Sequence, residues 1–438
     1  MLRKLLPTKR ITDRLQHGRT SQRVRGHVRE QIRREPALQL LPALLGVPLP
    51  FEPRPAYAST LLSAGQWVQL AGPPGSGRSL ALIQLAWQWL QSSRTAPVLI
   101  VPLALIDRPE QSPRELLSQV LGQHHLDAAL AIPTSTTGEL LLLIDGWEEL
   151  SAARREVWQE LLHRLPRLLP ATHGVITVQH DTPNWEGYAQ VRLVPPDTTL
   201  VRLWLDTLLP QHNTAAIMQQ LGNQPELGSV RQRIFELALL ALTYPRHRLP
   251  SAPKQLYTWV LEILQAQQIS LPTSVPFDLD APTPDGWFLI GRQMLHCATQ
   301  AQAITQTGNI TPLVALEAPA RHEVARMLRG TLANPAPLYA TLWEADDPQT
   351  LSVCLRENPR SAPMWAIRVL ERLSDQPTAP LPLYDYRTAL LNELPDLLRL
   401  AGNALSDERV SRLLTTNAAL IGSLRLLQLV DHIGQRPA

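Results

Sequence analysis

Short apolar runs alternate with longer amphipathic stretches between residues 66 and 193, and this pattern predicts strands that alternate with helices. The runs that predict strands are 66–71, 97–102, 140–144, 174–178 and 189–193. The stretches that predict helices are 79–91, 113–121 and 152–169, and Trp87 in the first of them is predicted to lie in the core. Continuous apolar runs indicate strands buried on both faces, so the pattern predicts a parallel sheet covered by helices on each side.

The strand pattern stops after Pro196, and the rest of the chain is predicted to be helical. Helices are predicted at 199–208, 214–221, 230–244, 252–266 and 286–301. Residues 311–438 also have a helical pattern, which proline clusters interrupt near 335, 359 and 377–382. The predicted fold class is therefore α/β, with a parallel-sheet core followed by all-helical C-terminal domains.

The N-terminal segment differs from the rest of the chain in charge. Residues 1–35 hold eleven Lys/Arg and three acids, a net of +8, whereas the remainder holds 30 bases and 35 acids, a net of −5. Val24, Val28 and Ile32 recur every four residues among arginines, which predicts an amphipathic helix with a narrow apolar face. We expect an accessory basic arm that buries little against the body. It would contact nucleic acid, an acidic partner or an anionic membrane surface, or be only a solvated helix face or tail.

Length and composition exclude several classes of protein. The chain has 438 residues, enough for roughly two to four domains, and 44 % of them are hydrophobic. Its two cysteines, Cys297 and Cys354, provide neither a disulfide framework nor a zinc site, so a reduced, cytoplasmic location is expected. Because no apolar run reaches about 18 residues, we predict no transmembrane helix, and the N-terminus lacks the apolar stretch of a secretory signal.

A glycine-rich segment follows the first predicted strand and opens the helix after it. In a P-loop such glycines let successive backbone N–H groups point at one phosphate, and the helix N-terminus adds a favourable dipole. The residues predicted to bind nucleotide are Gly72, Pro73, Pro74, Gly75, Ser76, Gly77, Arg78, Ser79 and Leu80. The Ser79 hydroxyl is also predicted to bind Mg²⁺. Arg78 stands where a P-loop usually has Lys, and because the two side chains are not interchangeable, phosphate binding is more secure than fast hydrolysis.

An acidic cluster follows the apolar run 140–144. Asp145 ends this predicted strand at the carboxyl edge of the sheet, where ligands of such sheets bind, and it is predicted to hold Mg²⁺. Glu148 and Glu149 are the predicted catalytic residues, since either could orient or deprotonate water in phosphoryl transfer. The alternative is that both are ordinary acids at a helix N-terminus.

The segment from Asp145 to Leu150 resembles the NACHT branch of the STAND-class P-loop NTPases. That family has a strand that ends in Asp-Gly, then one residue, two acids and an apolar residue, and every position fits here. The resemblance covers about residues 60–300. The chain departs from the family at Arg78, at His180 where the sensor strand usually ends in Arg, and at Ile234 where a Pro usually precedes an apolar helix and contacts nucleotide.

The resemblance implies a fold and a mode of action. It implies a P-loop NTPase that binds ATP or ADP with Mg²⁺, is closed with ADP, and opens on exchange for ATP to assemble as a homo-oligomer or to release an effector. Three altered nucleotide-facing positions imply slow hydrolysis, or a pocket kept for binding or only for the fold. The implied domains are a basic arm (1–35), a Pro-rich lead-in (36–60), the NTPase core (61–198), a NACHT-like helical domain (199–270), a further helical, winged-helix-like region (271–310) and a helical C-terminal domain (311–438).

Three functional hypotheses remain open from the sequence. The first is a nucleotide-dependent switch of NACHT type with weak hydrolysis, acting in intracellular signalling or defence. The second is a scaffold that retains the fold, has lost catalysis and binds a protein partner through its helical C-terminal region. The third is a nucleic-acid-associated ATPase that uses the basic arm.

Overall fold

The protein is represented by a computed structural model that describes residues 22–123, 140–266 and 292–375, with short gaps, and residue 415. The gaps are 53, 93–95, 108–109, 171, 180–181, 225–226, 248, 252, 317, 333–334, 346, 348–349, 352–353 and 356–362. The chain divides into two compact units, residues 1–296 and 297–438. Within the described ranges, the helices are all too short or too polar to cross a membrane.

Five parallel strands form one sheet in the first unit. They are β1 (Trp67–Ala71), β2 (Val98–Pro102), β3 (Leu140–Asp145), β4 (Thr172–Val178) and β5 (Ala189–Arg192). Their order across the sheet is β2-β3-β4-β1-β5. The five strands predicted from apolar runs are confirmed, and their ends differ from the prediction by at most two residues. Because β1 and β3 both pair with β4, the segments that follow them lie at one edge of the sheet.

Helices flank the sheet and continue beyond it. Those of the first unit are α1 (22–34), α2 (Pro36–Leu40), α3 (Leu61–Ala64), α4 (Arg78–Gln91), α5 (Leu103–Ile106), α6 (Pro113–Gln123), α7 (Ala152–Leu168), α8 (Thr198–Leu208), α9 (Thr214–Asn223), α10 (Gly228–Gln232), α11 (Ile234–Thr243) and α12 (Pro253–Ala266). The helix predicted at 230–244 is wrong in one respect, since it is two helices, α10 and α11. Arg233 separates them because its backbone is extended, with φ −124° and ψ 116°.

The core of the first unit lies on both faces of the sheet, and one contact in it requires a glycine. Trp67 on β1 lies opposite Gly174 on β4, and its indole covers that glycine. A Cβ at position 174 would lie 2.1 Å from Cε3 of Trp67, so even alanine would not fit. Trp67 also meets Tyr188 edge to face, which extends the aromatic packing toward β5. The close pairing of β1 with β4 at the start of β1 therefore depends on a matched Trp–Gly pair.

The P-loop helix presents a different tryptophan to the core from the one that the sequence predicts. Trp89 is buried and donates its Nε1–H to the carbonyl of Ala96 at 3.0 Å, whereas Trp87 is only half-buried. The prediction for Trp87 was wrong because α4 is buried over much of its circumference, so helical spacing alone does not identify the innermost face.

The N-terminal helix α1 packs against the first unit rather than standing apart from it. Val24, Val28 and Ile32 are each at most 2 % exposed. Arg25 donates from its guanidinium to the carbonyl of Leu90 (2.9 Å) in the last turn of α4 and to that of Ala96 (3.0 Å) before β2. The expectation that this face would bury little is therefore wrong for residues 22–34, because a narrow stripe is sufficient when an arginine beside it satisfies carbonyls at a helix C-terminus. Residues 1–21 of the predicted arm lie outside the described residues.

The second unit is helical where it is described. Helix α13 (Arg292–Thr307) crosses the boundary between the units, and the helices that follow are α14 (Thr311–Val314), α15 (Ala318–Thr331), α16 (Ala336–Glu344) and α17 (Pro363–Asp375). Cys297 and Cys354 are both buried and neither forms a disulfide. Arg321 on α15 forms an ion pair with Asp347, in the segment after α16, at 2.8 Å. The predicted helical character of 311–438 is confirmed over these ranges, while residues 267–291 of the predicted helical region are outside the described part.

Candidate functional site

The segment between β1 and α4 has the backbone of a loop that only glycines can form. Gly75 and Gly77 have φ of +77° and +100°, in the left-handed region that side chains with a Cβ rarely adopt. At Gly72 a Cβ would lie 2.6 Å from the Ser76 hydroxyl oxygen and 3.1 Å from Leu193 Cβ, so a larger residue would require the Ser76 side chain to move. Two of the predicted nucleotide-binding residues, Gly75 and Gly77, are thus required by the conformation of the loop itself.

Backbone hydrogen bonds hold the loop from two sides. Gly72 donates its N–H to the carbonyl of Val178 at the end of β4, at 3.3 Å. On the other side, Phe235 in the first turn of α11 donates its N–H to the carbonyl of Gly75 at 3.0 Å. The loop is therefore connected both to the sheet and to the helical region that follows it.

The N-terminus of α4 carries the features expected of an anion site. Its N-cap is Gly77, and no described side chain caps it, so its dipole and first-turn N–H groups face the loop. The Ser76 hydroxyl is buried and has no hydrogen-bond partner among the described residues, although buried polar groups are usually paired. Ser79 is half-buried in the first turn of α4, whereas Leu80 is buried and serves packing.

Asp145 lies at the same edge of the sheet as the loop. It is the last residue of β3, it is buried, and its Oδ1 accepts a hydrogen bond from the Thr177 hydroxyl on β4. Since β4 separates β3 from β1, the carboxylate and the loop are contributed by strands on either side of one neighbour. Mg²⁺ prefers oxygen ligands. This edge of the sheet offers the buried Asp145 carboxylate together with the hydroxyls of Ser79 and Ser76.

Arg78 and Glu148 form a buried ion pair that the sequence did not predict. The Arg78 side chain donates from Nη2 to Glu148 Oε1 and from Nη1 to the carbonyl of Val178, the second bond being 2.7 Å long. The two side chains are only 6 % and 7 % exposed. Glu148 Oε2 is also buried and has no hydrogen-bond partner in the described part of the chain. Arg78 was predicted to bind nucleotide and Glu148 to act on water. The structure brings the two together as an ion pair.

The surroundings of Glu148 affect its protonation. Burial raises the pKa of the Glu148 carboxyl above its ordinary value, the neighbouring Arg78 guanidinium opposes this rise, and the nearby Asp145 carboxylate adds to it. Glu148 belongs to a 3₁₀ turn, Trp147–Glu149, which follows Gly146 at φ +82°. Glu149, the second predicted catalytic residue, is exposed in the same turn. The two adjacent acids therefore have quite different environments.

The segment around Ile234 reaches the loop from the helical region. Ile234 is the first residue of α11, and its Cγ2 would lie 3.2 Å from a Cβ at Gly77. The side chain of Arg233 lies along Gly75, with its Cδ 3.5 Å from a Cβ built there. The position that was predicted to face the nucleotide pocket thus contacts the P-loop directly. His180 is outside the described residues, so its predicted sensor position stays a prediction.

Three partners of the site were missed from the sequence. Thr177 orients Asp145, Val178 accepts from both Gly72 and Arg78, and Phe235 binds the carbonyl of Gly75. The backbone groups among them give no residue-type signal. Thr177 gave a weak one, because a polar residue inside a buried apolar strand is unusual.

Comparison with known proteins agrees with this geometry in one region. Residues 66–209 match the family model described as the NACHT domain. A solved structure that resembles the chain is "Structure of Drosophila ORC bound to DNA", with 14 % identity over 66 % of this chain and 75 % of that chain. Its TM-score of 0.32 is too low to support a structural conclusion. None of the curated proteins matches the chain. The family match spans the P-loop, Asp145 and the acidic turn, and it confirms the predicted family for these residues.

Proposed function

Because residues 66–209 form a NACHT domain, a type of P-loop NTPase, we propose that this chain binds ATP or ADP with Mg²⁺ at the loop 72–79 and acts as a nucleotide-dependent switch or scaffold with slow hydrolysis. The observation that carries the proposal is the loop itself. Gly75 and Gly77 adopt left-handed conformations immediately before the uncapped N-terminus of α4, and Asp145 lies at the same sheet edge. A glycine-rich loop that precedes a helix N-terminus commonly binds phosphate, because its backbone N–H groups point at the anion.

Mg²⁺ fits the polar groups around the loop. The Ser79 hydroxyl and the Asp145 carboxylate would hold the ion, and Thr177 would keep the carboxylate oriented through its hydrogen bond. When bound, the ion would neutralise charge on the terminal phosphates. The chain's own contribution is to orient the phosphates through the N–H groups of the loop and of the first turn of α4.

Slow hydrolysis is supported by the position of the two acids. Glu148 Oε1 is paired with Arg78 and Oε2 is buried, so bulk water has little access to this carboxylate in the present arrangement. Glu149 is exposed, where water weakens its ability to activate a nucleophile. Arg78 replaces the compact Lys ammonium that usually reaches the β- and γ-phosphates. The same observations favour the second candidate, a scaffold that binds nucleotide without turning it over.

The biological setting follows from the family resemblance and stays part of the proposal. We place the chain in cytoplasmic signalling or defence-type assemblies, with self-association on activation and a protein partner on the helical region 311–438. An anionic or nucleic-acid partner at the N-terminus is favoured by one observation, the exposed arginines 23, 29 and 33 on the outer face of α1. Replacing all three by Ala should weaken any binding to duplex or single-stranded DNA and reduce its dependence on salt, because three cations are removed.

Calorimetry with the full chain tests nucleotide binding. ADP and a non-hydrolysable ATP analogue should each bind in the presence of Mg²⁺ and raise the melting temperature, because a ligand of the folded state stabilises it by mass action. Ser79→Ala and Asp145→Asn should weaken the Mg²⁺-dependent part of the affinity by about tenfold or more, which corresponds to about 1.4 kcal/mol.

The matched control for these variants is Ser63→Ala, which makes the same change on the exposed surface of α3 and should leave the affinity unchanged. Absence of any heat or thermal shift at millimolar nucleotide would show that the loop binds no nucleotide. Loss of affinity in the Ser63 variant as well would mean that the effect of Ser79→Ala is not local.

A further inference from the structure

The guanidinium of Arg78 already binds an anion, and that anion belongs to the protein. In a P-loop this position carries the cation that meets the β- and γ-phosphates. Here Nη2 is paired with the carboxylate of Glu148 and Nη1 with the carbonyl of Val178. A carboxylate offers a guanidinium the same kind of charged oxygen acceptor that a phosphate does. Glu148 therefore provides Arg78 with a chemical equivalent of the phosphate group.

We infer that Glu148 is an internal competitor for Arg78, so that a nucleotide phosphate gains this guanidinium only by displacing the Glu148 carboxylate. The inference rests on the proposed nucleotide binding and specifies how that binding is regulated. It also changes the role of Glu148, from the predicted activator of water to a group that lowers the affinity of the pocket.

Burial makes an exchange of partners far easier than a simple loss. Removing one member of a buried ion pair leaves an uncompensated charge, which is strongly unfavourable. An incoming phosphate would keep Arg78 paired while the Glu148 carboxylate leaves. Glu148 is already incompletely satisfied, since its Oε2 is buried without a hydrogen-bond partner in the described part of the chain. The carboxylate, not the guanidinium, is thus the member of the pair that gains from moving.

The exchange would reach beyond the two side chains. Glu148 is on the short turn that follows Asp145, the predicted Mg²⁺ ligand, so a displaced carboxylate moves the segment after β3. Arg78 shares the carbonyl of Val178 with the N–H of Gly72, which ties the same event to the end of β4 and to the loop. Phosphate binding is thereby coupled to rearrangement of the turn Trp147–Glu149.

Isothermal titration of the full chain with Glu148→Gln tests the competition. The amide has the shape of the carboxylate but not its charge, so Arg78 should be released to phosphate. We expect the affinity for a non-hydrolysable ATP analogue with Mg²⁺ to rise about tenfold. In free energy this is near the lower end of what one hydrogen bond to a charged group contributes. The gain should be smaller for ADP, which lacks the γ-phosphate. Glu156→Gln, the same change at an exposed site on α7, is the matched control and should leave both affinities unchanged.

A double-mutant cycle assigns the effect to the pair. In an Arg78→Ala background, Glu148→Gln should no longer raise the affinity, because no guanidinium remains to be released. If the wild-type chain binds nucleotide and Glu148→Gln binds equally or more weakly, the competition is wrong, and weaker binding would show that Glu148 instead supports the nucleotide. If neither chain binds either nucleotide, the proposed function fails and the inference fails with it.

A second variant covers the case in which Glu148→Gln does not fold. Glu148→Asp keeps the charge but shortens the side chain by one methylene, which should loosen the pair. It should raise the affinity in the same direction by a smaller factor, about threefold. Thermal melting without nucleotide confirms that each variant is folded. An unchanged affinity in a folded Glu148→Asp chain would contradict the inference.

Discussion

At the scale of single residues, the site is defined by positions where backbone conformation and charge leave few alternatives. Gly77 combines a left-handed φ of +100° with a close neighbour, since a Cβ there would lie 3.2 Å from Cγ2 of Ile234. Arg78 follows it directly and turns its guanidinium away from solvent into the pair with Glu148. Gly77 therefore determines the shape of the anion site, and Arg78 determines its charge.

Gly77→Ala should lower the free energy of unfolding by about 1–2 kcal/mol, because a residue with a Cβ is strained in the left-handed region. Urea denaturation of the full chain measures the change. Gly222→Ala is the matched control, since Gly222 lies near the end of α9 with nothing within 4 Å of a Cβ. This control should be neutral or stabilising by up to about 1 kcal/mol. Equal effects of both changes would show that the loop imposes no strain.

At the scale of secondary-structure elements, the sheet edge and the start of α11 enclose the loop from opposite sides. Ile234 occupies the first position of α11, where the N–H has no acceptor within the helix and proline is tolerated. Arg233 before it is extended, which is the conformation that a following proline favours. The family's proline and this chain's isoleucine thus meet the same backbone requirement, and the change affects mainly side-chain packing.

Ile234→Pro should therefore fold, despite placing a proline next to an apolar helix. Both Ile234→Pro and Ile234→Ala lose buried methyl groups, at a cost of about 2–4 kcal/mol for the alanine variant. The proline variant should be as stable as the alanine variant or more so, by up to about 1 kcal/mol, because proline restricts the unfolded chain. Thermal melting of the two side by side decides the matter. A proline variant several degrees less stable than the alanine variant would show that the backbone at 234 is unsuitable.

At the scale of the whole molecule, the basic N-terminal helix belongs to the body that binds nucleotide in our proposal. Its apolar stripe is buried, while Arg25 binds the carbonyl of Leu90 in the last turn of α4 and that of Ala96 beyond the helix. Since α4 begins at the P-loop, α1 supports the far end of the helix whose other end forms the anion site. The positive charge of the segment and its structural role are therefore carried by different faces of one helix.

Deletion of residues 1–35 should lower the melting temperature by several degrees, because it exposes apolar surface and removes the Arg25 donor from the carbonyls of Leu90 and Ala96, of which the second keeps its bond from Trp89. Arg25→Ala alone should cost about 1 kcal/mol, a reduced value because the side chain is partly exposed. Arg29→Ala removes an exposed cation from the same helix and should have no measurable effect on stability. A deletion that leaves the melting temperature unchanged would contradict the packing of α1.

The sequence predicted those parts of the molecule that depend on local pattern. Continuous apolar runs located β2 and β3, because a strand buried on both faces has few other compositions, whereas the edge strand β5 alternates polar and apolar residues and is only partly buried. The conformation of the loop was also predictable from local pattern, since a left-handed backbone at Gly75 and Gly77 favours glycine. The family match to residues 66–209 confirms what the acidic motif after β3 indicated.

The parts that were missed depend on contacts between distant segments. The pairing of Arg78 with Glu148 joins residues 70 positions apart, and nothing in either local pattern announces it. Val24, Val28 and Ile32 are buried, and Arg25 beside them binds carbonyls of the distant Leu90 and Ala96, so the charge and the narrow apolar face of the segment suggested a separate arm. The break at Arg233 follows from its approach to Gly75, which overrides a continuous helical pattern.

The aromatic residue beside Glu148 gives the site an optical property. Trp147 precedes Glu148 in the chain and meets Trp185 edge to face, with ring centroids 5.3 Å apart and planes at 77°. Two indoles held rigidly at this distance couple in the near ultraviolet, and indole emission responds to a charge that moves nearby. Any displacement of Glu148 would therefore change the near-ultraviolet circular dichroism and the fluorescence of the unlabelled protein, so the state of the Arg78–Glu148 pair can be followed in real time with native tryptophans.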